Sequence, residues 1–153
     1  MHLLLKLAEQ NTDFDFTWEP LVARSARCYI WQCAQVKSGI DLAVVYRHVL
    51  DMPQVGIVTV YIGEGESLNG PAKHNLVYQY SGHGDTRQRV RRYLESHPES
   101  GWTEILKLEK PSLDLKDDRL RKFVQDTLIA VYFWEHRQLQ KLVTNLSEFL
   151  NKP

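Results

Sequence analysis

The chain has 153 residues, which suits a single domain with one hydrophobic core, and nothing in the sequence repeats. It contains 19 lysines and arginines against 19 aspartates and glutamates, so no overall positive charge would draw it onto DNA. Any nucleic-acid site must therefore come from local clustering of basic residues.

The start of the chain and its two cysteines predict where the protein works. The apolar stretch Met1–Leu5 is interrupted by Lys6 and Glu9 and is too short for a secretory signal or a membrane span. Cys28 and Cys33 are five residues apart and would face opposite sides of a strand, which disfavours a disulfide or a paired metal site. We therefore predict core thiols in a reducing compartment, and a cytoplasmic protein with no membrane association.

The first part of the chain predicts an N-terminal arm, over residues 1–26, followed by a hairpin. Within the arm, His2–Glu9 fits either a short strand or a turn of helix, and Asn11–Pro20 indicates a loop. Cys28–Ala34 and Leu42–Val49 are rich in β-branched and aromatic residues, which is typical of strands.

A third strand is predicted at Ile57–Ile62, and it ends in the glycine-rich turn Gly63–Gly65. Alternation along a strand places Tyr61 on its more polar face, beside that turn. The prediction is an α+β fold with a small central antiparallel three-stranded sheet flanked by helices. It spans residues 1–153 as a single domain.

The segment Asp85–Leu94 predicts a helix with an unusual density of arginine. Its apolar residues lie at helical spacing, which leaves several guanidinium groups for solvent or for a ligand. One interpretation is a solvated helix face, and the other is phosphate recognition, because a guanidinium binds phosphate oxygens bidentately. The basic residues that could contact nucleic acid are Lys73, Arg87, Arg91 and Arg92.

A long polar loop joins the third strand to this helix, and long loops often carry function. It contains His74 and His83, which would either be solvent-exposed or serve as a general base or phosphate contact. His83 is the better candidate because it lies between glycines, four residues before Arg87.

Beyond the arginine helix, Trp102–Leu108 predicts a further strand. From Leu115 onward the apolar residues follow a helical period, over one helix or over two that are broken near residue 137. This part of the chain would form the helical layer that covers the sheet.

The order of strand, glycine turn and arginine helix resembles the GIY-YIG nuclease family. Tyr61-Ile62-Gly63 ends a strand and is followed by Arg89-Val90-Arg91-Arg92-Tyr93-Leu94, where the family has a helix of the form Arg-Leu-x-x-His-Leu. The resemblance implies a metal-dependent DNA endonuclease that hydrolyses phosphodiester bonds with Mg²⁺ or Mn²⁺. It implies that a tyrosine, Tyr29 or Tyr61, assists deprotonation of a water and that Arg89 stabilises charge on the phosphate.

The family's first motif, Gly-Ile-Tyr, would lie upstream on the strand paired with Tyr61. Gly39–Asp41 keeps the glycine and isoleucine but lacks the tyrosine, whereas Cys28–Ile30 keeps the tyrosine and lacks the glycine. We prefer Tyr29, because the chemistry needs the phenol more than the glycine.

The family also carries a metal-binding glutamate in the form Glu-x-x-Leu-Ile, and the matching segment here begins with Gln125. The position twelve residues further on is Arg137 rather than the family's asparagine. A neutral amide is a poor ligand for hard divalent cations, and Asp126 or Glu135 could supply a carboxylate instead. The alternative function is therefore a catalytically degenerate domain that binds nucleic acid or a protein partner without cleavage.

Overall fold

A computed structural model of the protein describes residues 2–7, 10–21, 27–33, 41–71, 74–109 and 114–151. The strands are β1 (His2–Leu7), β2 (Gln10–Pro20), β3 (Val44–Met52), β4 (Gly56–Gly65) and β5 (Gly101–Leu108). The helices are α1 (Leu76–Tyr78), which continues as a π turn over Gln79–His83, α2 (Asp85–Ser96) and α3 (Asp118–Gln140). The predicted α+β class is confirmed.

The described strands form one antiparallel sheet in the order β1-β2-β5-β3-β4. β2 is long enough to pair twice, with β1 over Gln10–Asp15 and with β5 over Phe16–Pro20. The continuous centre of the sheet therefore has four strands, β2, β5, β3 and β4, and the prediction of three strands is wrong. The predicted hairpin partner of β3 is not its neighbour, because β5 and β4 flank β3 instead.

The segment predicted as a loop in the N-terminal arm forms β2. Its aromatic residues alternate, as the residues on one face of a strand do. Phe16 is only 1% exposed, and the Trp18 indole N–H donates to the Tyr132 hydroxyl at 2.9 Å. Burial of these large side chains draws the arm into the sheet.

Two layers of side chains cover the sheet, because neighbouring residues along each strand face opposite sides. Phe16, Val45 and Ile62 pack against Val124 and Leu128 of α3. The other face carries Tyr46, His48 and Tyr61 of β3 and β4 and is covered by Leu76, Tyr80, Val90 and Leu94.

α3 runs without interruption through residue 137 to Gln140, so the suggested break at that position is absent. The Asp117 carboxylate caps its first turn by accepting from the Arg119 and Leu120 amides. After α3, the chain returns along β4, where the Leu150 amide donates to the Val60 carbonyl at 2.7 Å. This contact protects the outer edge of β4 from pairing with another strand.

The cysteine prediction is also wrong. Cys28 and Cys33 form a disulfide, with Cα atoms 5.8 Å apart. The segment is a turn rather than a strand, since the Gln32 and Cys33 amides both donate to the Tyr29 carbonyl, at 2.9 and 3.2 Å. The turn brings the two cysteines together, and they no longer support a reducing compartment. In the described part of the chain, no helix is both long and apolar enough to cross a membrane.

Candidate functional site

The pairing of β3 with β4 brings three aromatic rings together on one face of the sheet. Tyr46 lies opposite Gly63, and His48 lies opposite Tyr61. The ring centroids of Tyr46 and Tyr61 are 6.3 Å apart, and those of His48 and Tyr61 are 5.9 Å apart. With Tyr80 and Arg87, these residues form what we call the tyrosine cluster.

Gly63 is required by this contact rather than by its backbone conformation. A Cβ at Gly63 would overlap the Tyr46 hydroxyl and Cζ and would come within 2.7 Å of its Cε1. The Tyr46 ring therefore lies directly on the backbone of β4. Any larger residue at position 63 would displace a side chain that is fully buried.

A chain of hydrogen bonds runs through the cluster. The Tyr46 and Tyr80 hydroxyls are 2.9 Å apart, and the Tyr80 hydroxyl is 2.8 Å from His48 Nε2. His48 Nδ1 is 2.9 Å from the Thr103 hydroxyl, which also accepts from the Ile30 amide at 3.1 Å. Each buried polar group in this chain has a partner, so the network holds the cluster in one arrangement.

Burial also sets the protonation of the cluster. It lowers the pKa of His48 from 6.5 to about 3, with a smaller contribution from the positive charge of Arg87. Burial raises the pKa values of Tyr46, Tyr61 and Tyr80, and Arg87 opposes that shift at each. At neutral pH the imidazole is therefore neutral and the phenols are protonated.

Arg87, rather than Arg89, is the arginine of α2 that turns toward the tyrosines. One of its guanidinium nitrogens, Nη2, donates to the Glu64 carbonyl at 3.2 Å, and its Nε is buried with no hydrogen-bond partner among the described residues. Arg89 is exposed. Burial has the largest effect on the pKa of Tyr61 and raises it, whereas the charge of Arg87 and, to a smaller extent, that of Arg89 lower it. The sequence predicts this orientation, because Arg87 lies three residues before the buried Val90 and therefore on the same face of the helix.

The other predicted nucleic-acid contacts of α2 are the partly buried Arg91 and the exposed Arg92. Arg91 donates to the Tyr80 carbonyl and to Glu95, both at 2.9 Å, and lies 5.7 Å from the Trp31 ring centroid. Arg92 is exposed. Lys73 and the side chain of His83 lie outside the described residues.

Tyr29 does not lie on the strand that pairs with β4. Its ring stacks on Trp31 at 4.6 Å and meets the edge of His48 at 5.8 Å. A Cβ at Gly101 would overlap the Tyr29 hydroxyl, so that hydroxyl lies against β5. Tyr29 and Tyr61 therefore both contact His48, whereas Arg89 is exposed. Gly39 and Ile40 of the competing segment lie outside the described residues.

Tyr46 is a residue of this site that the sequence interpretation missed. It ends the tripeptide Val44-Val45-Tyr46 on the strand that pairs with Tyr61. The sequence does contain a signal for Tyr46, because it is a tyrosine within the predicted strand Leu42–Val49. The comparison with the family's first motif considers only Gly39–Asp41 and Cys28–Ile30, and so it does not reach Tyr46. His48 and Tyr80 had no such signal.

The residues proposed for a metal do not come together. Gln125 donates its amide to the Ile62 carbonyl at 3.4 Å. Asp126 and Glu135 are both exposed and lie nine residues apart on α3, about 13 Å along the helix axis. The described residues contain no group of three or more histidine, cysteine, aspartate or glutamate side chains that could hold a metal ion.

Other side chains occupy the junction between α3 and β4. The Asn151 side chain binds both backbone groups of Ile62, at 2.6 and 2.8 Å. Arg121, only 3% exposed, donates to the Glu64 and Asp118 carboxylates at 2.6 Å each. These two carboxylates border a cleft of about 250 Å³ that Arg87 also lines. Arg121 binds both carboxylates, and Arg87 and Lys122 add positive charge to the same cleft, so the donor set does not fit Mg²⁺ or Mn²⁺.

Comparisons with protein-family models, with curated proteins and with solved structures found no match to this chain. The resemblance of Tyr61-Ile62-Gly63 and Arg89–Leu94 to the GIY-YIG family therefore stays a prediction.

Proposed function

We propose that the protein is a GIY-YIG-like domain that binds nucleic acid without metal-dependent cleavage. The observation that carries this proposal is the environment of Gln125. The residue at the position of the family's metal-binding glutamate is an amide that donates to the Ile62 carbonyl. Where the family has an anionic metal ligand, this chain has a neutral side chain that binds the backbone of β4.

The nucleic-acid contact would come from the exposed arginines of α2. Arg89 and Arg92 are both exposed, and Arg89 lies close enough to Tyr61 for its charge to affect that phenol. Arg87 and Arg91 already bind backbone carbonyls. Two phosphate contacts on a neutral protein imply modest affinity and a slope of log affinity against log salt of about −2.

The tyrosine cluster explains why binding would not lead to hydrolysis. A phenol assists catalysis when it reaches a water or the substrate, yet Tyr46 and Tyr80 are fully buried and bonded to each other. Burial raises the pKa of both hydroxyls, which keeps them protonated. In this arrangement the cluster stabilises the fold that presents α2.

The endonuclease is the second candidate, and one observation favours it. Tyr46 and Tyr61 lie on paired strands, and Arg87 approaches both. In this alternative, Tyr46 takes the role first given to Tyr29, and Arg87 stabilises the charge on the phosphate. Tyr46 would then need to become accessible when DNA binds.

Binding is tested by titrating labelled single-stranded and duplex DNA with the wild type, an Arg89→Gln/Arg92→Gln variant and an Arg119→Gln control. Arg119 is also exposed but lies on α3. We expect the double variant to lose most of the affinity and the control to retain it. For the wild type, affinity should fall about tenfold between about 50 and about 200 mM salt. Affinity that is independent of salt, or equal in all three proteins, would contradict the proposal.

Cleavage is tested separately with supercoiled plasmid and Mg²⁺ or Mn²⁺. We expect the wild type to leave the plasmid intact at concentrations that bind DNA. Nicking that EDTA abolishes, and that Arg87→Gln reduces by at least the 10²-fold typical of a lost charge at the reacting centre, would establish the endonuclease instead.

A further inference from the structure

The segment Cys28–Cys33 covers the tyrosine cluster from outside the sheet. Its Trp31 ring lies 5.4 Å from His48 and 5.2 Å from Tyr80, measured between ring centroids. Tyr29 and Ile30 are 5% and 1% exposed. His48 and Tyr80, which are hydrogen-bonded to each other at the centre of the cluster, are thus covered by a short turn. The first and last residues of this turn are joined by the disulfide.

Among the described residues, two hydrogen bonds connect this turn to β5. The Ile30 amide donates to the Thr103 hydroxyl at 3.1 Å, and the Thr103 amide donates to the Cys28 carbonyl at 3.1 Å. The packing of Tyr29, Ile30 and Trp31 also holds the turn in place.

Two polar atoms of the same turn, the Tyr29 hydroxyl and the Trp31 indole nitrogen, are buried with no hydrogen-bond partner in the part of the chain that the structure describes. A buried donor that lacks an acceptor costs free energy that water would return if the group became exposed. The two unpaired groups therefore disfavour the closed turn, because opening would expose them to water. Its covalent closure limits the open conformations that could relieve this cost.

We propose that the Cys28–Cys33 disulfide is a reversible redox site that controls how often this turn opens from the His48–Tyr80 pair. Both cysteines are half-buried, so a small reductant can reach the bond. Opening would uncover a neutral imidazole and a phenol that are otherwise sealed from solvent. This property belongs to the turn and does not depend on nucleic-acid binding.

The reductant would be a dithiol. One of its thiolates attacks a sulfur of the Cys28–Cys33 bond and forms a mixed disulfide, and its second thiol then displaces the protein sulfur. Two electrons and two protons pass to the protein, leaving two thiols, and the reductant leaves as a disulfide. Oxidation by a disulfide of the same class reverses the step.

The size of the effect follows from loop closure. In the chain-entropy description, a disulfide that closes a loop of about six residues reduces the conformations accessible to the open turn by a factor of about 40. Reduction should therefore make opening of the turn about 40-fold more frequent. The rest of the sheet should be unaffected, because its strands pair independently of the turn.

The test is amide hydrogen exchange by NMR, with and without dithiothreitol, on the whole protein. Thiol titration confirms that reduction yields two free thiols. We expect protection of the Ile30, Cys33 and Thr103 amides to fall about 40-fold on reduction, while that of Leu128 in α3 stays within about twofold. Removing the dithiol and reoxidising should restore the original protection.

A Cys28→Ser/Cys33→Ser variant provides the matched control, because it mimics the reduced turn and cannot be reoxidised. It should show low protection of the turn under both conditions. Unchanged protection after complete reduction would overturn the proposal, since the turn would then be held by packing alone. An equal loss of protection in α3 would also overturn it, because the disulfide would then stabilise the whole domain.

Discussion

His48 should make the stability of this protein depend on pH in a predictable direction. Burial lowers the pKa of His48 from 6.5 to about 3, so the folded protein keeps the imidazole neutral where the unfolded chain takes up a proton. The unfolded state thus binds more protons below pH 6.5, and stability is lost as pH falls from there toward 3. Above that window, this histidine contributes no pH dependence.

The magnitude follows from linkage. Each pH unit inside the window costs up to about 1.4 kcal/mol, so going from about pH 7 to about pH 5 should cost about 2 kcal/mol from His48. In His48→Gln this contribution is absent. The variant should be less stable than the wild type at neutral pH, because two hydrogen bonds of the network are altered. The difference between the two proteins should shrink by about 2 kcal/mol at the lower pH.

Urea unfolding, followed by circular dichroism at both pH values, measures these free energies. His136, whose pKa burial also lowers, is present in both proteins and cancels in the comparison. Val49→Ala is the control for destabilisation itself, because Val49 is fully buried on the same strand and does not titrate. It should lose stability equally at both pH values. If the wild type and His48→Gln have the same pH dependence, this prediction is wrong, because His48 would then titrate alike in the folded and unfolded states.

Three further predictions concern packing, charge and metal. Gly63→Ala should destabilise the protein by about 1–3 kcal/mol because its Cβ overlaps the Tyr46 ring. Gly84→Ala is the control and should have little effect, because the atom nearest to its Cβ is 3.6 Å away. The urea midpoints of the two variants measure the difference. Glu104→Gln should cost about 1–3 kcal/mol, seen as a lower Tm, because Arg47 donates to this carboxylate at 2.6 Å in a largely buried site; an unchanged Tm would contradict this. Mn²⁺ or EDTA should leave the wild-type Tm unchanged, and a rise with Mn²⁺ would reveal a metal site.

Local pattern located the elements whose signal is strong in the residues themselves. The predicted strand Ile57–Ile62 lies within β4, and the predicted helix Asp85–Leu94 lies within α2. The strand predicted at Trp102–Leu108 corresponds to β5. These segments have runs of β-branched residues or a helical period, and their tertiary contacts agree with those preferences.

Two segments with ambiguous patterns needed the tertiary structure. Cys28–Cys33 has the composition of a strand, but a disulfide and the burial of Tyr29 and Trp31 favour a turn. Phe16 and Trp18 alternate in a polar segment, and their burial against the opposite layer makes it a strand. Contacts that are distant in the sequence decided both cases, and no local propensity reports them.

The sequence alone predicts that α2 carries several permanently charged guanidinium groups and follows the strand of Tyr61 along the chain. Which of these groups faces the tyrosines depends on how the helix packs on the sheet. Arg87 and Arg89 are two residues apart, which places them about 200° apart around the helix, so one points toward the sheet when the other points to solvent. The packing of Val90 and Leu94 selects Arg87 for the interior. The same packing leaves Arg89 exposed, because a helix can bury only one of its faces against a sheet.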